Sequence, residues 1–164
     1  MSGVEALVRW KHLTKGFIPP DYLVPFAEKF NLIDDLTSLV VEKVFSWCRD
    51  WRIENKPMNV SINLSQMNLA DLDLSEKLIG AAAKYHVSAS DVTFEITETS
   101  LPRDPDHVLD VLTRLCLKRF QLSIVDFGTG HLSLAYLSKM PFRELKIDKM
   151  WWTTATQIVI TESS

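Results

Sequence analysis

Cysteine is scarce in this chain: Cys48 and Cys116 are the only two, and they form no paired framework. That excludes a disulfide scaffold and points to free thiols in a reducing compartment. No apolar run reaches the roughly eighteen residues that a membrane-crossing helix needs, and the first residues do not resemble a signal peptide. The expectation is therefore a cytoplasmic chain with no membrane segment. Basic residues are not in excess either. A formal net charge of -3 argues against a general binder of nucleic-acid polymers. It leaves a small anionic ligand open, because a metal ion can supply positive charge locally. No histidine pair has metal-ligand spacing, and no Ser/His/Asp or Cys/His set is present.

What is there is an ordinary globular composition. A length of 164 residues suits one domain with a real core. Short apolar runs alternate with stretches long enough for helices. The runs are Val4–Trp10, Asn59–Leu64, Val92–Thr97, Gln121–Phe127 and Arg143–Asp148. Pro20-Asp21-Tyr22 starts a short helix, and Ile33 to about Trp51 predicts a longer one with Leu36, Leu39, Val40, Val44 and Trp47 at helical spacing. Ser75–His86 reads as a helix, Asp104-Pro105-Asp106 caps another to about Lys118, and a short helix follows Gly128-Thr129-Gly130 through Leu137. Strands alternating with helices form a parallel sheet whose ligands gather at its carboxyl edge.

Each apolar run carries a residue able to hold a metal ion or a phosphate. Glu5, Glu95 and Asp126 supply carboxylates, Asn63 a neutral carbonyl oxygen, and Lys146 and Asp148 close the last run. Hard divalent cations take oxygen ligands, and two of them about 4 Å apart would serve a phosphodiester displacement. Lys146 would then hold the attacking water or neutralise a phosphate. Singly, each acid reads as a solvated strand-end residue; five at equivalent positions do not. Arg9 suits a phosphate oxygen pair or else shields Trp10. Glu98 either tethers the loop after its strand or is simply exposed. The two glycines after Asp126 permit close approach of a ligand to the main chain. His131 follows them and is a candidate ligand contact. His12, His86 and His107 read as structural or solvated, and Trp47 and Trp51 as part of a core-facing stripe.

These residues together resemble a known set. Glu5-Ala6-Leu7-Val8-Arg9-Trp10 resembles the signature that names the EAL domain, the family of cyclic di-GMP phosphodiesterases. Gly16 through Glu28, with Pro20, Pro25 and Ala27-Glu28, is similar to the family's first loop and helix. Asn63-Leu64-Ser65, Glu95-Ile96-Thr97-Glu98, Asp126-Phe127-Gly128-Thr129-Gly130 and Leu145-Lys146-Ile147-Asp148 resemble further motifs in the family's order. The resemblance implies a (β/α)8 TIM-like barrel that opens cyclic di-GMP to linear pGpG with two Mg2+ or Mn2+ ions. It makes Glu5, Asn63, Glu95 and Asp126 metal ligands, with Glu5 and Lys146 catalytic and Lys146 at the metal-bound water. Arg9 and Asp148 would bind ligand, and Glu98 would stabilise the loop after the third strand.

Two departures bear on activity. Active members have two adjacent aspartates before Phe-Gly-Thr-Gly, and the first is here Val125. Three carboxylates then face the four positive charges of two divalent ions, so weakened metal binding is expected. The family also continues with two more strand–helix units and has a strand before Glu-Ala-Leu; neither is in this sequence. The expected architecture is α/β, an incomplete barrel with about five of eight strands. Residues 1–150 form a partial EAL domain, and 151–164 an atypical tail that is one extra strand or disordered. Open barrel edges suggest a homodimer or other self-association. The functional expectation is an EAL-type phosphodiesterase with impaired or lost activity. The alternative is a non-catalytic module that binds cyclic di-GMP or a protein partner, with a folded remnant lacking ligand function as a third reading.

Overall fold

The computed structural model describes residues 3–102, 106–128 and 137–147. Strict alternation of polar and apolar residues in the middle runs makes strands. β1 (Gly3–Ala6), β4 (Asn59–Leu64), β5 (Val92–Thr97), β6 (Gln121–Phe127) and β7 (Glu144–Ile147) form one parallel sheet in the order β1-β4-β5-β6-β7. Their register gives the sheet two unlike faces. Val60, Ile62 and Leu64, Val92, Phe94 and Ile96, and Leu122 and Ile124 share one face and are buried. Ser61, Asn63, Thr93, Glu95, Thr97, Gln121 and Ser123 line the other. This is half of the expected barrel, apolar outside and polar within.

Among the described residues four helices account for the covered face: α1 (Pro20–Lys29), α2 (Ile33–Ile53), α3 (Leu74–Lys84) and α4 (Asp106–Leu117). Aspartates in the first turn of α2, Asp34 and Asp35, sit at the positive end of its dipole. Its buried stripe is Ile33, Thr37, Val41, Val44 and Phe45. Leu39 and Trp47 are exposed, against the expectation of a core-facing stripe through them. Each stands two residues, about 200° of helix, beyond a buried position (Thr37 and Phe45) and so points away from the sheet. Phe45, Phe94 and Phe120 anchor the core, the last two edge-to-face with ring centroids 5.1 Å apart.

The first expected strand is too long. β1 ends at Ala6, and Trp10 belongs instead to an antiparallel hairpin of β2 (Trp10–His12) and β3 (Gly16–Ile18). His12 closes its turn: Nδ1 accepts from the backbone N–H groups of Thr14 and Lys15, both at 3.2 Å. Gly16 supplies the positive φ of 73° that the turn needs. The middle strands keep their expected bounds. The proline cap before α4, the segment 129–136 after the glycine turn (His131 included), Asp148 and the tail 151–164 lie outside the described residues.

Candidate active site at the carboxyl edge of the sheet

The polar face carries the candidate residues side by side. Glu5 on β1 accepts a hydrogen bond from Asn63 Nδ2 on β4 at 3.0 Å. That bond fixes the amide so that its Oδ1, the atom a hard cation would take, is the one left over. Asn63 pairs in register with Glu95 on β5, and Glu95 with Ser123 on β6. The Glu95 carboxylate is buried, and the ammonium of Lys146 donates to it. Burial works against the Lys146 charge. The hydrogen bond to Glu95 and the charges of Glu95, Glu144 and Glu5 outweigh it, and hold the ammonium above the ordinary lysine range. Beside Glu95 lies the buried hydroxyl of Ser123, which has no hydrogen-bond partner among the described residues.

Asp126 owes its place to an irregularity. Ser123 pairs with Glu144 and Ile124 with Leu145, but the next pair is Phe127 with Ile147. Val125 and Asp126 therefore both fall opposite Lys146, as in a β-bulge. Asp126 adopts φ 57° and Gly128 φ 99°. Val125, which pairs with Thr97, stands on the polar face as its single apolar member among the paired positions of β5 and β6. Glu98 is buried and accepts the backbone N–H of Gly128 at 2.6 Å, so it ties the turn after β5 to the glycine turn after β6. Arg9 lies beyond β1, exposed, and donates to the carbonyl of Val8 at 3.0 Å; it is not drawn into this cluster.

A groove of about 610 Å³ opens next to Asn63, lined among others by Leu7, Asp21, Glu28, Thr37 and Asn68 but not by Glu5, Glu95 or Lys146. Asn68 has no counterpart among the expected site residues. It is buried at 1% exposure. Its Oδ1 accepts from Thr37 Oγ1 at 3.1 Å and from the backbone N–H of Ser65 at 3.0 Å, while its Nδ2 donates to Asp34 at 2.8 Å. One side chain thus bolts the loop after Asn63 to the first turns of α2. Ser123 and Asn68 are both legible as polar residues within apolar stretches, though the partners of Asn68 are not.

Among the described residues no three carboxylates, histidines or cysteines stand close enough to hold a metal ion. Glu5 is engaged by Asn63, Glu95 by Lys146, and position 125 offers no oxygen. The described donor set leaves room for at most one cation beside Glu5, Asn63 and Glu95. It does not fit a pair, and no step through two ions follows from it.

Comparison with known proteins agrees with this geometry. A family model described as EAL domain matches residues 1–157. The bifunctional diguanylate cyclase/cyclic di-GMP phosphodiesterase MucR of Pseudomonas aeruginosa is 37% identical over 153 residues, 91% of this chain and 22% of that protein. The cyclic di-GMP phosphodiesterase RocR of the same organism is 33% identical over 149 residues, 91% of this chain and 38% of that protein. The chain therefore spans well under half the length of these relatives. A MucR phosphodiesterase structure in complex with c-di-GMP superposes with a TM-score of 0.85 at 36% identity, over 92% of this chain and 62% of that one. A calcium/cy-diGMP complex of Klebsiella pneumoniae BlrP1 shares the fold at a TM-score of 0.71 and 23% identity, over 88% of this chain and 35% of that one.

Proposed function

The chain belongs to the EAL domain family, and from that membership we propose that its carboxyl strand edge recognises cyclic di-GMP, with hydrolysis to pGpG impaired or lost. The relatives bearing these motifs are named as cyclic di-GMP phosphodiesterases. The observation that supports impairment is Val125, an apolar residue opposite Lys146 where the family pattern has a carboxylate. Changes merely next to metal ligands commonly cost about 10- to 100-fold in affinity or activity; a missing ligand should cost at least that.

In this reading Glu5, Asn63, Glu95 and Asp126 are the residues available to a Mg2+ or Mn2+ ion, held weakly. The ion would supply charge neutralisation at the phosphate. Lys146 would orient the attacking water or meet the phosphate, Arg9 and Asp148 would contact the ligand, and Glu98 would hold the loop. The partial EAL domain covers residues 1–150. Two free thiols favour a cytoplasmic setting, and among the described residues no helix is long and apolar enough to cross a membrane. Among the described residues β1 and β7 are the outermost strands of the sheet, and pairing through them would make a homodimer.

A turnover assay tests the proposal: purified chain, cyclic di-GMP and Mn2+, with products separated by chromatography. Little or no pGpG is expected from the chain itself, and at least about tenfold more from Val125→Asp. Fast pGpG formation that disappears in Glu5→Ala would overturn the impairment.

A further inference from the structure

The hairpin that follows β1 has two unlike faces. Trp10 pairs with Ile18, Lys11 with Phe17 and His12 with Gly16, so alternation puts Lys11 and Phe17 together on one face. Trp10 and His12 share the other, edge-on with ring centroids 5.2 Å apart, and there His12 and Ile18 are half-buried. On the first face Lys11 is exposed and Phe17 keeps 69% of its surface open. Leu13, at the tip between Lys11 and Lys15, is fully exposed. The tip is braced, since His12 Nδ1 accepts the backbone N–H groups of Thr14 and Lys15 and so holds the leucine out in a fixed turn. Charge is segregated here as well. From Ala6 to Pro20 the chain has Arg9, Lys11 and Lys15 and no acidic residue, within a sequence of net charge -3.

We propose that this hairpin is a peripheral membrane contact whose tip enters the headgroup region of a bilayer rich in anionic lipid. Leu13 and Phe17 supply the apolar part, and the ammonium groups of Lys11 and Lys15 meet the anionic headgroups. The long lysine stems let the charges stay in water while the apolar side chains go in. A protein partner fits this surface less well. One leucine and one phenylalanine on a protruding tip offer far less than the roughly 800 Å² per partner of a stable protein interface. A bilayer needs no such area, and a small apolar insertion backed by basic charge gives reversible binding. Only Leu7, Val8 and Arg9 separate the hairpin from Ala6 at the end of β1, so docking would bring the carboxyl end of β1 to the bilayer. Neither cyclic di-GMP nor a metal ion takes part.

Flotation of the whole chain with lipid vesicles tests this, without nucleotide or metal. Phosphatidylcholine vesicles containing about one third phosphatidylserine are compared with pure phosphatidylcholine. The chain is expected to float with the anionic vesicles, to bind the neutral ones at least about tenfold less, and to be released by added salt. Each lysine near such a surface contributes about fivefold in partitioning, so Lys11→Ala with Lys15→Ala should lose roughly twentyfold. Leu13→Gln leaves the charge unchanged and should lose at least about threefold. All three side chains are exposed, so the variants keep the fold, which circular dichroism checks. Equal binding to both kinds of vesicle, or binding to neither, overturns the proposal. Anionic binding untouched by these substitutions places the contact elsewhere on the chain and overturns it too.

Discussion

Lys146 donates to the carboxylate of Glu95 across the intervening strand β6, and Glu95 is only 2% exposed while Lys146 remains half open to water. Cutting this pair from one side is unlike cutting it from the other. Lys146→Met strands a buried carboxylate, which should destabilise the fold by about 1–3 kcal/mol, held below the usual figure for a buried pair by the lysine's own hydration. Glu95→Gln removes charge yet keeps the shape and an acceptor, and should cost less. The double variant should be more stable than Lys146→Met alone. Urea denaturation of the three variants checks the order; a double variant weaker than both singles would refute it.

Asn68 makes the second prediction. Its amide satisfies Thr37, Ser65 and Asp34 at once, and Asn68→Ala leaves a part-buried backbone N–H and a buried hydroxyl without partners. Each such group costs about 1–3 kcal/mol, and water entering the new space would hold the sum near the lower end. Thr37→Val, which removes one bond, should cost under about 1.5 kcal/mol. Hydrogen exchange at the Ser65 amide separates this from general loosening: it should speed up in Asn68→Ala far more than amides within β6.

How much of this was legible in the sequence depends on where tertiary contacts intervene. β4, β5 and β6 fell on their expected residues because period-two alternation survives in a parallel sheet with one polar face. The expected β1 runs four residues too long, since Leu7 and Val8 continue the apolar run of Val4 and Ala6 and nothing before Trp10 marks the hairpin that takes it. Leu39 and Trp47 were placed in the core because an apolar residue at loose helical spacing looks the same on either side of a buried stripe. The bulge at Val125 and Asp126 was hidden, because it exists only as a mismatch of register with β7. The one signal available was the run Thr93, Glu95, Thr97, Gln121, Ser123, whose polar parity makes Val125 an exception.

The bulge itself gives a third prediction. Asp126 holds φ 57°, a left-handed conformation that aspartate tolerates and β-branched residues do not. Asp126→Gly should fold with stability within about 1 kcal/mol of wild type. Asp126→Val should lose about 1–3 kcal/mol more than that. Thermal denaturation of both variants decides it. Equal stability of the two would show that the bulge does not impose the left-handed turn.

Cys48 supplies a prediction in pH. Burial first, and then the charge of Asp91, push its thiol from 9.0 up to about 11. At pH 8 the thiolate is then on the order of one part in a thousand. In a Cys116→Ser background, which removes the other thiol, alkylation by iodoacetamide should rise nearly tenfold per pH unit through pH 10, where an ordinary thiol would already level off near pH 9. The same shift has a consequence for stability. Between these two pH values the unfolded chain has released the thiol proton and the folded chain has kept it, so folding loses stability as pH rises from about 9. Cys48→Ala should flatten that part of the alkaline limb. A rate plateau at pH 9 would show instead that the helix opens readily around Cys48 and exposes the thiol to water.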